Sequence, residues 1–528
     1  MSVRIGREVV RAAVTLALVL VPLLTHSGRA AEPTPEKLPD AARDYFAIRV
    51  VDEATGRGVP LVELRTTNDL RYVTDSAGYV AFREPGLMDR RVFFHLQSHG
   101  YETPKDGFGF RGRAFETKPG TIAVWPIKRR FAAERLYRIT GAGIYGESQL
   151  LGLAPPDATP PLNAQVMGSD SVVCAIHRDR IYWFWGDTNR PDFPLGIFNV
   201  PGATSPLPGG RDAKGGEASS GWSPDRGIPL SYFVDGQGRA KETAQMPGSG
   251  PTWINGVASL PDEEGRPRLL CTYEKIRPPL DIYARGIAQF DEQREAFESV
   301  ASMPVDAPLR PFGHPLRVRD GEKELIYFGD PFPWTRTAAT RAAYLDLKQY
   351  EGYSAWREDG KELQRDAEGK LVFAWRRGVE PWSFDLEQKL VKQGKLKPEE
   401  RLVRLSDPDS GKPIVPHRGT VNWNPYLGRW IAIFVELGGG PSMLGEVWFA
   451  DAPALEGPWT RATKIVTHDK YSFYNPNHHV FLDEENGRRI YFEATYTHMF
   501  SGNTQLTPRY EYNQILYRLD LTPWKQPP

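Results

Sequence analysis

The chain has 528 residues, with 66 basic and 66 acidic side chains and therefore no net formal charge. This length exceeds what one hydrophobic core usually organises, so two or three domains are expected. The balanced charge favours neither a nucleic acid nor an anionic membrane as a partner. Aromatic residues make up 12% of the chain, and 50 glycines and 46 prolines supply many turns, which favours an all-β class.

The first thirty residues have the pattern of a signal peptide. Three arginines are followed by an apolar run at 12–24, which is shorter than the roughly 20 residues that a membrane-spanning helix needs. Gly28 and Ala30 supply the small residues of a cleavage site. The sequence therefore predicts a signal peptide at 1–30 and export to the periplasm or the exterior, with no membrane association afterwards. The alternative is an uncleaved membrane anchor.

Residues 40–125 contain short apolar strands with a turn about every ten residues, which predicts a small β-sandwich. The segments Val50-Val51-Asp52, Gly58-Val59-Pro60, Thr74-Asp75-Ser76-Ala77-Gly78 and Gly100-Tyr101 resemble the carboxypeptidase regulatory-like, or transthyretin-like, sandwich. That resemblance implies an accessory module without chemistry of its own. Residues 126–160 are predicted to link this domain to the main body.

One pattern recurs five times between residues 161 and 525: an apolar strand, a charged turn, and an aromatic-rich strand that ends in an acid. The shortest spacings between successive acids, 56 and 57 residues, fit a four-stranded blade with its loops. The repeat predicts a five-bladed β-propeller at 161–525. The predicted fold is thus all-β, with a small N-terminal β-sandwich followed by this propeller.

In a propeller, the start of each innermost strand and the end of its neighbour lie on one face. Acids, histidines, amides and indoles occupy these positions in the five copies, so we expect one rim rich in carboxylates. The candidate catalytic residues are Asp170, Asp187, Glu274, Asp330, Glu436 and Glu493. The candidate substrate-binding residues are Trp253, Asn255, His314, Trp334, Trp423, Asn477 and His478.

Clustered carboxylates suit glycoside hydrolysis, because like charges push their pKa values apart and leave one group as acid and another as base. Flat aromatic side chains suit the C–H faces of sugar rings. Any single acid of the repeat has a structural alternative, in which it accepts backbone N–H bonds from a neighbouring loop. Six acids on one rim favour the catalytic interpretation.

The segments Gly168-Ser169-Asp170-Ser171, 181–188, 445–450 and 457–459 resemble the five-bladed propeller glycosidases of the arabinanase and β-xylosidase type, and more closely the endo-D-arabinanase-like propellers. The resemblance implies an exported hydrolase of a plant, algal or microbial-wall polysaccharide. It also implies that carboxylates of the early blades act as base or nucleophile, pKa modulator and acid. Asp170 and Asp187 are then the first candidates, although the inner strands of copies two and three begin without a clear acid.

Two other functions are open from the sequence: a non-catalytic carbohydrate-binding or cell-surface scaffold propeller, and a metal-assisted lyase or esterase. No Gly-x-Ser-x-Gly motif supports serine chemistry. We predict a polysaccharide or oligosaccharide substrate, no cofactor and no metal ligands, with a structural calcium ion as an alternative. Cys174 and Cys271 are predicted to be buried free thiols, with a disulfide as the alternative. The sugar, the linkage and the oligomeric state stay open.

Overall fold

The computed structural model describes residues 36–156, 160–208 and 222–525, so the predicted signal peptide lies outside the described residues. Strands dominate these ranges, and the all-β class is confirmed. The α-helices are short: Gly146–Leu150, Arg341–Leu345 and Phe384–Lys392. The 3-10 helices are Asp40–Ala42, Asn163–Gln165, Leu347–Gln349, Pro398–Glu400, Val480–Leu482, Glu485–Gly487 and Thr522–Trp524. Within the described ranges, no helix has the length and apolar composition needed to cross a membrane.

The N-terminal part is a β-sandwich whose two sheets share one buried apolar cluster. The first sheet contains, in spatial order, Glu36–Lys37, Thr121–Arg129, Phe46–Asp52 and Tyr79–Phe82, and Tyr101–Glu102 also pairs with Thr121–Arg129. The second contains Arg71–Val73, Val62–Thr66, Arg91–Ser98 and Gly112–Glu116. Burial alternates along Val62–Thr66, as expected for a strand with one face in the core and one outside.

Five mostly four-stranded antiparallel sheets, here called sheets I to V, form the main body. Sheet I contains Val172–His177, Arg180–Trp185, Gly202–Pro206 and Ser231–Tyr232. Two short strands that flank its first hairpin, Gly168–Ser169 and Thr188–Asn189, pair with each other. Sheet II contains Thr252–Pro261, Pro267–Arg277, Asp281–Asp291 and Ala296–Met303. Sheet III contains Leu316–Asp320, Lys323–Phe328, Thr335–Ala338, Glu351–Ser354 and Ala374–Arg377. Sheet IV contains Pro416–Asn424, Arg429–Glu436, Glu446–Ala452 and Arg461–Thr467. Sheet V contains Ser472–His478, Arg489–Thr497, Asn513–Asp520 and Glu134–Arg138.

These sheets pack in a cyclic order. Five buried clusters each combine apolar residues of two successive sheets, and the fifth cluster combines sheet V with sheet I. Representative members are Phe184 with Phe290, Leu270 with Phe328, Tyr327 with Phe434, Phe449 with Phe492, and Leu516 with Trp183. The main body is therefore propeller-like, with every sheet between two neighbours.

The segment 126–160, predicted as a linker, contributes strands to both parts of the molecule. Thr121–Arg129 completes the sandwich, whereas Glu134–Arg138 pairs with Asn513–Asp520 as the outer strand of sheet V. The sequence Glu-Arg-Leu-Tyr-Arg did not indicate a buried strand, because three of its five side chains are charged. These charges are compensated: the buried Arg135 donates to the carbonyl oxygen of Pro60, and Glu134 accepts from Arg518.

In the fifth copy the repeat of apolar strand, charged turn and aromatic strand predicts Val480–Leu482 as the inner strand, and this prediction is wrong, because the segment is a 3-10 helix. The inner strand is Ser472–His478, which pairs with Arg489–Thr497. The Asn-Pro-Asn sequence at 475–477 is typical of a turn, but here it lies within a strand and takes a bulge, with Asn475 at a φ of 56°. The strand therefore starts about eight residues earlier than predicted, which changes the residues that reach the rim.

Candidate active site

The inner strand of each sheet is irregular near the same end of the ring. In sheet I the ladder stops between Ser169 and Val172, and in sheet III an isolated bridge joins Gly313 to Gly329 ahead of the inner strand. The register shifts in sheets II, IV and V at Asn255/Ala258, Pro416/Gly419 and Tyr474/Asn477. Such interruptions re-orient the side chains at these positions, so polar side chains of the inner strands can face the space that the five sheets surround.

A cavity of about 640 Å³ opens at this end, and we call it the rim cavity. It brings together residues that the sequence analysis selected from three different sheets. Of the predicted catalytic residues, those that line it are Asp170, Asp187, Glu274 and Asp330. Of the predicted substrate-binding residues, those that line it are Trp253, Asn255 and His314.

Asp170 is surrounded by hydroxyl donors. Its Oδ1 accepts from Ser171 Oγ at 2.8 Å and from Tyr474 Oη at 2.7 Å, and its Oδ2 accepts from Tyr512 Oη at 3.2 Å. The backbone N–H of Ser171 donates to Oδ1 as well. Burial and the adjacent Asp170 raise the pKa values of both tyrosines, so they stay protonated and act as donors. Donors of this kind orient a carboxylate and stabilise its negative charge.

Asp187 lies beside Asp170 but in a different environment. The N–H of Asp170 donates to the carbonyl oxygen of Asp187 across the hairpin at 3.0 Å. Burial, and then the charge of Asp170, raise the pKa of Asp187 to about 7, against a smaller opposing effect of the Trp253 indole. Its Oδ1 is buried and has no hydrogen-bond partner. Near neutral pH this carboxyl group therefore holds a proton for part of the time, next to a carboxylate.

The other two acids of the rim cavity are each paired with an arginine. Glu274 accepts from Arg285 Nε at 2.8 Å, and the two residues face each other directly on neighbouring strands of sheet II. Asp330 accepts from Arg418 Nη1 at 2.8 Å and from the N–H of Gly419 at 3.0 Å. Burial raises the pKa of Asp330, and Arg418 opposes this rise. Each of these two carboxylates is therefore balanced by a cationic side chain.

Two histidines complete the polar wall, and burial makes both of them poor bases. Burial and the neighbouring His479 and Arg418 lower the pKa of His314 to about 3. Burial and Arg418 also lower the pKa of His417, while Asp330 opposes this effect. Both imidazoles are therefore neutral at physiological pH and can donate and accept hydrogen bonds at the same time.

Three predicted site residues near the rim are committed to packing instead. The half-buried carboxylate of Glu436 accepts from Trp448 Nε1 at 2.9 Å, within sheet IV. Glu493 is fully buried and accepts from His479 Nε2 at 2.7 Å. Trp334 is a buried core residue whose indole donates to the carbonyl oxygen of Glu456. The structure does not place these three side chains at the rim cavity. Glu436 ends its strand but binds within sheet IV, and Glu493 lies inside a strand that continues to Thr497.

Trp423, Asn477 and His478 also lie outside the rim cavity. Trp423 is at the far end of the strand Pro416–Asn424, where it is 44% exposed and contacts Trp430. Asn477 and His478 end their strand and line a second cavity toward the other end of the inner strands. Asn477 and His478 were predicted at the start of the fifth inner strand, and the error follows from the misplaced start of that strand in sheet V. Trp423 lies near the end of its strand, as in the predicted repeat, and this end points away from the rim cavity.

Several rim residues were not predicted. Tyr474 and Tyr512 bind Asp170, and Arg285 and Arg418 bind the other two acids. Tyr474 has a sequence signal, since it precedes an Asn-Pro pair at the predicted rim, whereas Arg285 has none, because its pairing depends on strand register. Apolar side chains from loops also line the cavity: Leu195, Leu280, Leu444, Met499 and Phe500.

The rim cavity therefore combines a carboxylate held by hydroxyls, a carboxyl group that titrates near neutrality, two acid–arginine pairs and neutral imidazoles. This arrangement can donate a proton at one atom and stabilise positive charge or activate water at another. Within residues 36–156, 160–208 and 222–525, no group of three or more His, Cys, Asp and Glu side chains is arranged to hold a metal ion.

No protein-family model and no curated protein matches the chain. Solved structures align with it at low scores. A putative hydrolase from Bacteroides ovatus is 11% identical, with 67% of this chain and 86% of that chain covered and a TM-score of 0.37. A β-xylosidase/α-arabinofuranosidase from a compost microbial metagenome is 12% identical, with 69% and 94% covered and a TM-score of 0.32. An exo-1,5-α-L-arabinanase from a bovine ruminal metagenomic library is 10% identical, with 68% and 96% covered and a TM-score of 0.32.

Proposed function

We propose that the protein is a glycoside hydrolase that cleaves a polysaccharide or oligosaccharide in the rim cavity. The observation that carries this proposal is the Asp170–Asp187 pair: two adjacent carboxyl groups, of which one accepts several hydrogen bonds and the other has a pKa of about 7. Glycosidic bonds are cleaved by two carboxyl groups in different protonation states, one as acid and one as nucleophile or base.

In this proposal Asp187 is the general acid. Its raised pKa keeps a proton available near neutral pH, and its Oδ1 has no hydrogen-bond partner in the protein that would hold this proton. Asp170 is the nucleophile or the base that activates water, because its hydroxyl partners hold one orientation and stabilise the charged form. Asp330 is the second candidate for the acid, but both of its oxygens already accept hydrogen bonds from Arg418 and Gly419.

Glu274 and Asp330, with their arginines, serve as substrate-binding pairs that fix sugar hydroxyls. Trp253 lies directly opposite Glu274 on the neighbouring strand and offers an indole face next to this pair. Phe500 is 56% exposed and contacts the edge of Tyr474, with ring centroids 5.8 Å apart. Aromatic faces on two sides of the carboxylates suit a chain of sugar rings that passes across the rim.

The same proposal includes the architecture of the two parts of the chain and the export of the protein. The cyclic order of the five sheets supports a closed five-bladed propeller of the glycosidase type. We propose that the sandwich is an accessory module of the carboxypeptidase regulatory-like kind, because its polar contacts to the main body are structural ones, such as those of Arg135. Export through residues 1–30 stays a prediction.

A glycan-release screen tests the proposed activity. The purified protein is incubated with arabinans, xylans, galactans and microbial-wall polysaccharides, and new reducing ends are measured. Asp170→Asn should lower the release by about 10²–10⁴-fold, because an amide cannot act as the nucleophile or as the base that activates water. Asp179→Asn is the matched control, since Asp179 is exposed at the other end of the same hairpin. Equal release by wild type and Asp170→Asn would refute the assignment, and binding without release by the wild type would indicate a carbohydrate-binding propeller.

A further inference from the structure

A second cavity, of about 630 Å³, lies toward the other end of the inner strands, near their hairpin turns, and is here called the channel cavity. It shares only His314 with the lining of the rim cavity. Inner strands of different sheets line it, with polar groups supplied by Cys174, Asn422, Asn477 and His479. None of these residues has a role in the proposed glycoside hydrolysis.

Two of these groups, Cys174 and His479, form a connected series of hydrogen bonds with Glu493, which is not part of the cavity lining. Cys174 Sγ lies 3.5 Å from His479 Nδ1, and His479 Nε2 lies 2.7 Å from Glu493 Oε1. The remaining oxygen of Glu493 is buried and has no partner. A nucleophile, an imidazole and a carboxylate in this order match the arrangement in which the imidazole takes the proton of the nucleophile and the carboxylate stabilises the imidazolium.

The surroundings fix the imidazole and leave the sulfur accessible. The ring of His479 meets Trp183 edge to face, with centroids 5.1 Å apart, and lies 5.2 Å from the ring of Phe481. His479 and Glu493 are buried, whereas Cys174 is partly exposed and lines the cavity. The amide Nδ2 of Asn477 lies 3.9 Å from the sulfur, where it can donate to an oxygen on a carbon bound to that sulfur.

We propose that Cys174 is a nucleophile that accepts an acyl group from a small ester bound in the channel cavity. The sulfur attacks the carbonyl carbon of the ester, and the thiol proton passes to His479 Nδ1. The carbon–oxygen bond of the ester then breaks, and His479 returns the proton to the departing alkoxide. The products are a thioester on Cys174 and one alcohol, and Glu493 stabilises the imidazolium between the two steps.

The sulfur holds its proton in the resting state. Burial, and then the negative charge of Glu493, raise the pKa of the Cys174 thiol. Attack therefore requires proton transfer to His479 as the sulfur–carbon bond forms. Cys271 provides an internal comparison, because it is fully buried in the cluster between sheets I and II and lines neither cavity.

Acetylation by p-nitrophenyl acetate tests this proposal, and it uses no glycan, so the result does not depend on the proposed activity at the rim. Release of p-nitrophenol is followed with time, and peptide mass spectrometry locates the acetyl group. We expect Cys174 to be acetylated at least about tenfold faster in the folded protein than in the same protein unfolded in urea. His479→Gln should lower this rate by about 10²-fold, Cys174→Ala should abolish acetylation at this peptide, and Cys271→Ala should leave it unchanged.

The comparison of the folded and unfolded wild type stands even if a variant does not fold. Slower acetylation of Cys174 in the folded protein would overturn the proposal and leave the series of hydrogen bonds with a structural role. The proposal would also be overturned if the folded His479→Gln protein is acetylated as fast as the wild type, or if the acetyl group is found on lysines alone.

Discussion

Replacing Asp187 by asparagine should change how the stability of the protein depends on pH. The native state holds a proton on Asp187 up to a pH of about 7, whereas the unfolded chain loses it near the ordinary value of 3.8. Between these values the unfolded state binds fewer protons than the native state, so the native state loses stability as the pH rises and does not regain it above pH 7. Asparagine does not ionise, so the variant escapes this loss.

The magnitude follows from the size of the pKa change. A shift from 3.8 to about 7 corresponds to about 4 kcal/mol, at about 1.4 kcal/mol for each pKa unit. Asp187 is partly exposed to the cavity, and water there weakens the penalty, so we expect about 2–4 kcal/mol. Relative to wild type, Asp187→Asn should therefore gain about 2–4 kcal/mol of stability between about pH 4 and about pH 8.

Urea unfolding followed by tryptophan fluorescence measures this difference, with wild type, Asp187→Asn and Asp179→Asn compared at both pH values. Asp179→Asn makes the same chemical change at an exposed position and should follow the wild type within about 0.5 kcal/mol. If the gain of Asp187→Asn over wild type is the same at both pH values, the environment derived for Asp187 is refuted, and so is its role as the acid.

Two further predictions concern the groups around the carboxylates. Tyr474→Phe and Tyr512→Phe each remove a hydroxyl that donates to Asp170. For each variant kcat should fall by about 10-fold or more with little change in KM. An unchanged kcat in the double variant would contradict the role of these hydroxyls. Arg285→Met leaves Glu274 in the cavity wall without its ionic partner, so KM should rise several-fold while kcat changes less. Initial rates over a range of glycan concentrations measure both constants. A fall in kcat alone would place this pair in the chemical step instead.

The sequence analysis found the parts of the site that depend on strand ends alone. Asp187 and Asp330 come just after the second strands of their copies, and Glu274 follows the apolar part of a strand that continues to Arg277. These positions are readable because an apolar run stops at a polar residue. It also found the all-β class, since the repeat of strands and turns is visible in single segments. The acid pair of sheet I was recognised because both of its members flank one hairpin.

The parts that failed depend on register and on irregular backbone. Because Asn475 lies in a bulge, the strand Ser472–His478 has no regular pattern, and the repeat predicts Val480–Leu482 as the inner strand instead, with His478 at the rim. Arg285 faces Glu274 across a strand pair, and Tyr512 reaches Asp170 from the loop before the third strand of sheet V. Contacts between distant segments of this kind do not follow from local patterns, because they are set by the pairing and packing of the sheets.

The most direct test of the central claim is the pH dependence of glycan release by wild type and Asp187→Asn, measured together with binding of the same glycan. The account predicts that release by the wild type falls as the pH rises above about 7, where Asp187 loses its proton. We also expect Asp187→Asn to bind the glycan but to release product about 10²–10⁴-fold more slowly than the wild type below about pH 7, where the wild-type group holds its proton. Release by Asp187→Asn at the wild-type rate would contradict the account.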